Sequence, residues 1–259
     1  MGQDHGRLGR FWRARFGGAL VREVALLAAM LWVYRLVRFA ARDQVDTAFR
    51  NAQTVLRIEG LLGLDFEAAL QRLALPHEAL LRGMNRYYVT AHFAGTVAFL
   101  VWAYVRSHAD YTKLRRVLVA VSAAALAIHV AFPLAPPRMM PGFVDTMALW
   151  GPNPYRSEAV SGFANQYAAM PSLHVGWSLV VAYGVVQLAR SPWRWLALVH
   201  PVLTFAAVTL TANHYWLDGA VAAALVTGAA WRLYPPGASR SRPPAPGHAA
   251  PARRVAAAA

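Results

Sequence analysis

Apolar residues in this chain gather into runs instead of the narrow stripes of a water-soluble helical protein. Six runs, at 19–40, 87–105, 117–135, 172–189, 195–212 and 215–234, each approach the ~20 residues with which an α-helix crosses the hydrocarbon of a bilayer. Residues 44–83 differ: Val55, Leu56, Leu61, Leu62, Leu64 and Leu70 are spread among balanced charges, the pattern of one or two amphipathic helices lying in the membrane interface. The pattern therefore predicts an all-α, polytopic membrane protein, a six-helix transmembrane bundle with an extracytoplasmic amphipathic segment. The first run is longer than a signal-peptide core and is followed by no small-residue cleavage site, so it is read as a retained span. No internal repeat relates the runs.

Composition sharpens this reading. The 259 residues are 57% hydrophobic and include nine tryptophans, yet the formal net charge is +14. Apolar spans separated by basic loops account for both properties. The arm 1–18, the loop 106–116, the turn 190–194 and the end of the chain from Arg232 hold 15 basic residues against two acidic ones, or +13 of the +14. The positive-inside rule then puts both termini in the cytoplasm and the loop 136–171 outside. Arg35, Arg38 and Arg42, at the outer end of the first span, run against the rule and are read as cavity lining or an anionic-headgroup contact. The basic residues thus follow membrane topology, and the expected partners are membrane lipids, not nucleic acid. The absence of cysteine excludes disulfide and thiolate chemistry. Residues 235–259 are rich in proline and alanine without apolar periodicity, which predicts a disordered cytoplasmic tail.

Within this frame the polar residues of the apolar runs converge. "MPSLHVGW", residues 170–177, places Ser172 and His174 where the fourth span enters the membrane from outside, and "ANHYWLDGA", residues 212–220, places His214 and Asp218 where the sixth does the same. Asp218 follows His214 at i+4, on the same helix face. Such a carboxylate fixes the imidazole tautomer and leaves the other ring nitrogen free to attack or to donate a proton. In the outer loop, Pro136 and Pro137 hold the backbone extended before Arg138, whose planar fork suits an anion. Two helix N-termini, at Pro171–Ser172 and at the start of the sixth span, are expected to aim at the same place. Together the set suits a phosphate group.

Each residue also has a plainer reading. A histidine inside a membrane bundle can simply bond a neighbouring helix, and His129 and His200, with no acidic neighbour at helical spacing, are assigned that role. His92 lies near the outer end of the second span below Arg86; these two and Asn213 are the possible further members of the pocket. Two histidines and an aspartate could bind zinc, but the charge of Arg138 opposes a cation there, so neither a metal nor a cofactor is expected.

At these positions the sequence resembles the type 2 phosphatidic acid phosphatase superfamily, which shares its core with vanadium haloperoxidases, and within it the inositol phosphorylceramide synthase-like (inositolphosphotransferase) branch. "PSLH", 171–174, matches the family's Pro-Ser-Gly-His motif with Leu173 in the glycine place. "HYWLD", 214–218, matches its final His-x3-Asp motif, and "PPR", 136–138, matches the arginine of its first motif as the synthase-like branch writes it. The phosphatase branch carries a lysine seven residues before that arginine and an arginine six before the last histidine; here those places hold Ala131 and Val208. Two phosphate-binding cations are thus missing relative to the phosphatases.

The resemblance implies a membrane enzyme acting on a lipid phosphate without metal. His214, oriented by Asp218, would form a phosphohistidine; His174 would protonate the leaving oxygen and later activate the acceptor; Arg138 and Ser172 would hold the phosphate oxygens. It also implies the domain plan: a basic arm 1–18, a phosphatidic acid phosphatase type 2-like catalytic domain 19–234 with its core at 117–234, and the tail. Transfer to a hydroxyl makes the protein an inositolphosphotransferase-like enzyme; transfer to water makes it a lipid phosphate or polyprenyl (pyro)phosphate phosphatase. A transporter or scaffold on the same bundle is the reading from another class, but broken spans in symmetric halves, which a transporter usually shows, are not found here. The orientation is testable with single cysteines and an impermeant thiol reagent on intact cells. Cysteine at Ser161 should label and cysteine at Ser241 should not; the opposite pattern inverts the topology.

Overall fold

The computed structural model describes residues 44–152 and 166–238, together with Ala25 and Trp32. Apart from those two residues, the first expected span, Arg35, Arg38 and Arg42, the basic arm and most of the tail therefore lie outside the described residues. Those described are helical, with no strand and a single isolated bridge, Leu134 to Ala168. In chain order the helices are α1 (Val45–Leu61), α2 (Glu67–Ala74), α3 (Glu78–Arg86), α4 (His92–Arg106), α5 (His108–Ala131), α6 (Thr146–Trp150), α7 (Leu173–Leu188), α8 (Val199–Leu210) and α9 (Trp216–Leu233). A π turn, Tyr87–Ala91, fuses α3 to α4, and 3-10 turns at Pro137–Met139 and Pro192–Leu198 precede α6 and α8.

Among the described residues, three helical stretches are long and apolar enough to cross a membrane: Glu78–Arg106 (29 residues), His108–Ala131 (24 residues) and Pro192–Leu210 (19 residues). Leu173–Leu188 is apolar but shorter. These fall at the second, third, fifth and fourth expected spans; α9 falls at the sixth and is not among the helices long and apolar enough to cross. The boundaries at one end are corrected. Residues 106–116, expected as a loop with a helix from 117, are mostly helix, because Ser107 caps α5. Its Oγ accepts from the Asp110 amide (3.3 Å) and donates to the Asp110 carboxylate (2.8 Å), which starts the helix one residue after α4 ends.

α7 lies at the centre, packed against α4, α5, α8 and α9. The shared core contains Phe99, Leu114, Val117, Val121, Val180, Leu188 and Val226, and Trp177 of α7 donates to Ser122 Oγ of α5 (3.0 Å). Lys113 reaches the Ala238 carbonyl (2.9 Å) and Tyr183 Oη donates to the Tyr234 carbonyl, so the basic start of α5 meets the ends of α7 and α9. The opposite end of the bundle gathers the end of α5 and the starts of α7 and α9, which carry the chemically interesting residues.

The amphipathic segment is also corrected in part. Ala48, Ala52, Val55 and Glu59 form the buried face of α1, and that face packs on the protein's own loops at Leu134, Ala135, Met140, Ala169 and Tyr215. Asn51 donates to the Pro133 carbonyl (2.8 Å) and the Ala135 amide to the Ala48 carbonyl (3.2 Å). Leu61 and Leu62 stay exposed. The stripe expected to face lipid is therefore split between a docked side and an open tip.

The α4–α7 contact is close because Gly184 has no side chain. A Cβ there would lie 2.3 Å from Phe99 Cζ and 3.1 Å from Leu114 Cδ2, whereas one at Gly228 would meet nothing within 4 Å. Gly184→Ala should therefore lower stability in detergent by about 1–3 kcal/mol, the usual cost of overpacking. Phe99→Leu should relieve part of that loss, giving a non-additive double variant, and Gly228→Ala should be neutral. Thermal unfolding of the four proteins checks this.

Candidate active site

Ser172 caps α7, and Pro171, which suits the first turn of a helix, lies just ahead of the cap instead. Ser172 Oγ accepts from the Val175 amide (3.3 Å), and the Ser172 amide donates to the Asp218 carbonyl (3.1 Å), tying the start of α7 to that of α9. His129, at the end of α5, bonds the Pro171 carbonyl through Nε2 (3.2 Å), a tie to the loop ahead of α7 where a bond to a neighbouring helix was expected. The His174 ring stacks on Tyr88 at 4.0 Å between centroids and lies 4.5 Å from His92. The Tyr88 carbonyl accepts a hydrogen bond from this imidazole. Because His174 Nε2 is buried without a protein partner, the bonded nitrogen is Nδ1, and Nε2 is the reactive one.

The π turn places that carbonyl. Thr90 Oγ1 takes the Arg86 carbonyl (2.7 Å), the acceptor that an α-helix would reserve for the Thr90 amide, and the His92 amide reaches back five residues to Tyr87. The wider turn brings Tyr88 and His92 against α7. π turns inside α-helices recur at functional sites.

His214 sits in the loop between α8 and α9. The loop is fixed by hydrogen bonds from the Asn213 amide to the Val208 carbonyl (2.8 Å) and from Thr211 Oγ1 to the Ala207 carbonyl (2.6 Å). Ala212 there has φ +53°, a left-handed conformation that costs an L-residue on the order of 1 kcal/mol. His214 Nδ1 faces two acceptors, the Ala169 carbonyl at 2.8 Å and Asp218 Oδ2 at 3.2 Å, so it carries the hydrogen. The expected His–Asp pair is formed, but the backbone carbonyl is the nearer partner, and Asp218 Oδ2 also accepts from the Tyr215 amide (2.9 Å). Burial, aided by the Arg138 charge, pushes His214 down to about 4, so the ring is neutral at physiological pH with the lone pair on Nε2. The rings of His214 and His174 lie 6.0 Å apart.

Arg138 is brought to the same place. Its amide donates to the Ala212 carbonyl (2.8 Å), its Nη1 to Asn213 Oδ1 (2.7 Å), and its Nε lies 3.7 Å from Asp145 Oδ2. Asn213 Nδ2 in turn bonds Thr211 Oγ1 (2.7 Å). The structure thus gathers His174, His214, Asp218, Arg138, Ser172, Asn213 and His92. Arg86 is exposed, and no described contact joins it to them. His200 bonds Tyr87 Oη (2.6 Å), the helix-to-helix role expected of it.

One expectation is overturned. The start of α9 does not offer its amides to a ligand, because Trp216 N donates to Glu67 Oε1 (3.0 Å) and Leu217 N to Glu59 Oε1 (2.8 Å). Sequence reading missed both glutamates, although Glu59 continues the buried stripe of α1 and stands out there as a charge among apolar positions. The amides that open α7, those of Leu173 and His174, precede the first intrahelical bond and are the helix end that remains for an anion.

Among the described residues, no group of three His, Cys, Asp or Glu side chains is placed to hold a metal ion. No curated protein and no solved structure matches the chain. A family model described as the PAP2 superfamily matches residues 53–232. That match runs through α1 to α9 and takes in the whole cluster, and on it the chain belongs to the type 2 phosphatidic acid phosphatase (PAP2) superfamily.

Proposed function

We propose that this PAP2 protein is a membrane-embedded lipid phosphotransferase working through a phosphohistidine, and that its chemistry is of the inositolphosphotransferase kind. Membership of the superfamily points to a phosphatase or phosphotransferase of lipid phosphates. The observation that carries the finer reading is the fixed tautomer of His214. With Nδ1–H held between Ala169 and Asp218, the Nε2 lone pair is the nucleophile. It attacks phosphorus, the bond to the leaving oxygen breaks, and His174, made an imidazolium by the proton it takes up with the anionic substrate, gives that oxygen its Nε2 proton while Nδ1–H stays on the Tyr88 carbonyl. In the second half His174 takes the proton of the acceptor hydroxyl as that oxygen displaces His214. Arg138 and the opening amides of α7 meet the charge that grows on the non-bridging oxygens.

Two observations support transfer over hydrolysis. The positions at which the phosphatase branch carries additional cations are Ala131 and the buried Val208, and Val208 packs among Tyr88, Met147, Val175 and Ala222. The attacking histidine is itself shielded from bulk water, with His214 6% exposed, and His174, half-buried as a residue, has its Nε2 out of contact with solvent. In this reading the active site faces the outer side of the cell membrane, with both termini cytoplasmic.

A nitrophenyl ester of an alkyl phosphate separates the two histidines. His214→Ala should abolish turnover on every substrate. His174→Ala should cost about 10²–10⁴-fold on lipid substrates but far less on the nitrophenyl ester, whose leaving group needs little protonation. The opposite pattern reverses the roles, and full activity in both variants sinks the proposal. Radiolabelled lipid phosphates with and without inositol then distinguish transferred product from released phosphate.

Activity should also survive EDTA, because the charge stabilisation assigned here comes from Arg138 and a helix start. Vanadate should inhibit, since its trigonal-bipyramidal adduct on histidine resembles the phosphoryl group in transfer. Loss of turnover in EDTA that zinc or magnesium restores would overturn the assignment.

A further inference from the structure

The start of α9 carries the His214–Asp218 pair, yet its first amides are satisfied by side chains from the far end of the sequence. Glu59, at the end of α1, takes Leu217 N–H, and Glu67, at the start of α2, takes Trp216 N–H. Both carboxyls are fully buried, at 0% and 1% exposure, and so is Asp218 one turn on. A docked surface helix can present any polar side chain to an amide. Two glutamates facing each other beside a third buried carboxylate are a costly way to do it.

We propose that Glu59 and Glu67 are positioning residues for the His214–Asp218 pair, a clamp of two carboxyls that share one proton. The clamp rests on the phosphohistidine reading above. Glu59 Oε2 is buried with no donor facing it, and the two buried carboxyls take consecutive α9 amides, an arrangement in which one proton held between them removes the repulsion of two buried charges. Burial, with the charges of Glu67 and Asp218 adding to it, pushes Glu59 up to about 8, and burial raises Glu67 as well, so one of the pair is protonated at physiological pH and donates to the other. Each carboxyl keeps its other oxygen for one α9 amide.

The arrangement matters for His214 because Asp218 lies in the turn that those amides close. Asp218 Oδ2 bonds both Tyr215 N and His214 Nδ1, and fraying of this turn moves the acceptor that fixes the imidazole tautomer. Neither glutamate touches the proposed reacting atoms. The other acidic and phenolic groups around the pair are Asp218 and Tyr215, both from the α9 start.

The test compares Glu59→Gln, Glu67→Gln, their double variant, Glu59→Ala, Glu67→Ala and His214→Ala in the full-length protein. Turnover of the nitrophenyl alkyl phosphate and thermal unfolding are measured for each. Either single glutamine leaves two amide acceptors and one hydrogen between the side chains, so both should keep kcat within about threefold. Each alanine variant leaves an α9 amide buried and unpaired and should lose roughly ten- to a hundredfold in kcat with KM unchanged. The double glutamine places two NH2 groups face to face and should fall with the alanines. If the alanine variants do not fold, the contrast between single and double glutamine decides.

Alanine variants that keep wild-type kcat overturn the clamp. So does a single glutamine as impaired as its alanine, or a kcat loss accounted for entirely by unfolded protein. If turnover survives His214→Ala, the phosphohistidine reading fails first; if it depends on His214 while the glutamate variants are unaffected, the clamp alone fails.

Discussion

A helix that begins inside a protein has several backbone donors and no water to receive them, and the start of α9 meets this constraint with carboxylates. Asp218 takes the Tyr215 amide, Glu67 that of Trp216 and Glu59 that of Leu217. Everything nearby follows from where these acceptors originate. α1 and α2 must dock on the bundle, and the buried face of α1 is built of Ala48, Ala52 and Val55 ahead of Glu59, residues small enough for close approach. The loops that they cover carry Arg138 and the Ala169 carbonyl, the two groups that hold or face His214. Removing the amphipathic segment would thus uncap the helix and unroof the histidine together.

The polar cluster is held mostly by backbone. Tyr88 and Ala169 orient the two central histidines with carbonyl oxygens, and Arg138 is anchored by its own amide to the carbonyl of the strained Ala212. Side-chain partners are few and short: Asn213 and Asp145 for Arg138, Asp218 for His214. Backbone acceptors cannot rotate away, so ring orientation here depends on the path of the chain more than on residue type.

That division explains what the sequence could show. His174, His214, Asp218 and Arg138 are legible because polar residues are conspicuous in apolar runs and because i, i+4 spacing has only one geometric meaning. The helical class follows from run length alone. The orienting carbonyls are invisible because every residue has one. The glutamate pair was hidden for another reason: in a segment of balanced charge Glu67 looks like solvated surface, and the place of Glu59 on the apolar stripe of α1 gains meaning only when α1 and α2 dock. The early start of α5 escaped because basic residues suggested a loop, although nothing in 108–116 breaks a helix and Ser107 is a good cap.

The length of α7 has a consequence for the bilayer. Its 16 residues rise roughly 24 Å at 1.5 Å each, less than the ~30 Å hydrocarbon thickness of a typical membrane. In the proposed orientation Arg190 and Trp193 follow its cytoplasmic end and belong among the headgroups, which leaves the other end several ångströms short of the outer headgroup layer. Hydrophobic mismatch of this kind is relieved by local thinning or by polar loops that dip inward. A lipid phosphate would then reach His174 and His214 by sinking with the deformed leaflet instead of rising out of it, so that bilayer thickness itself becomes a determinant of substrate access.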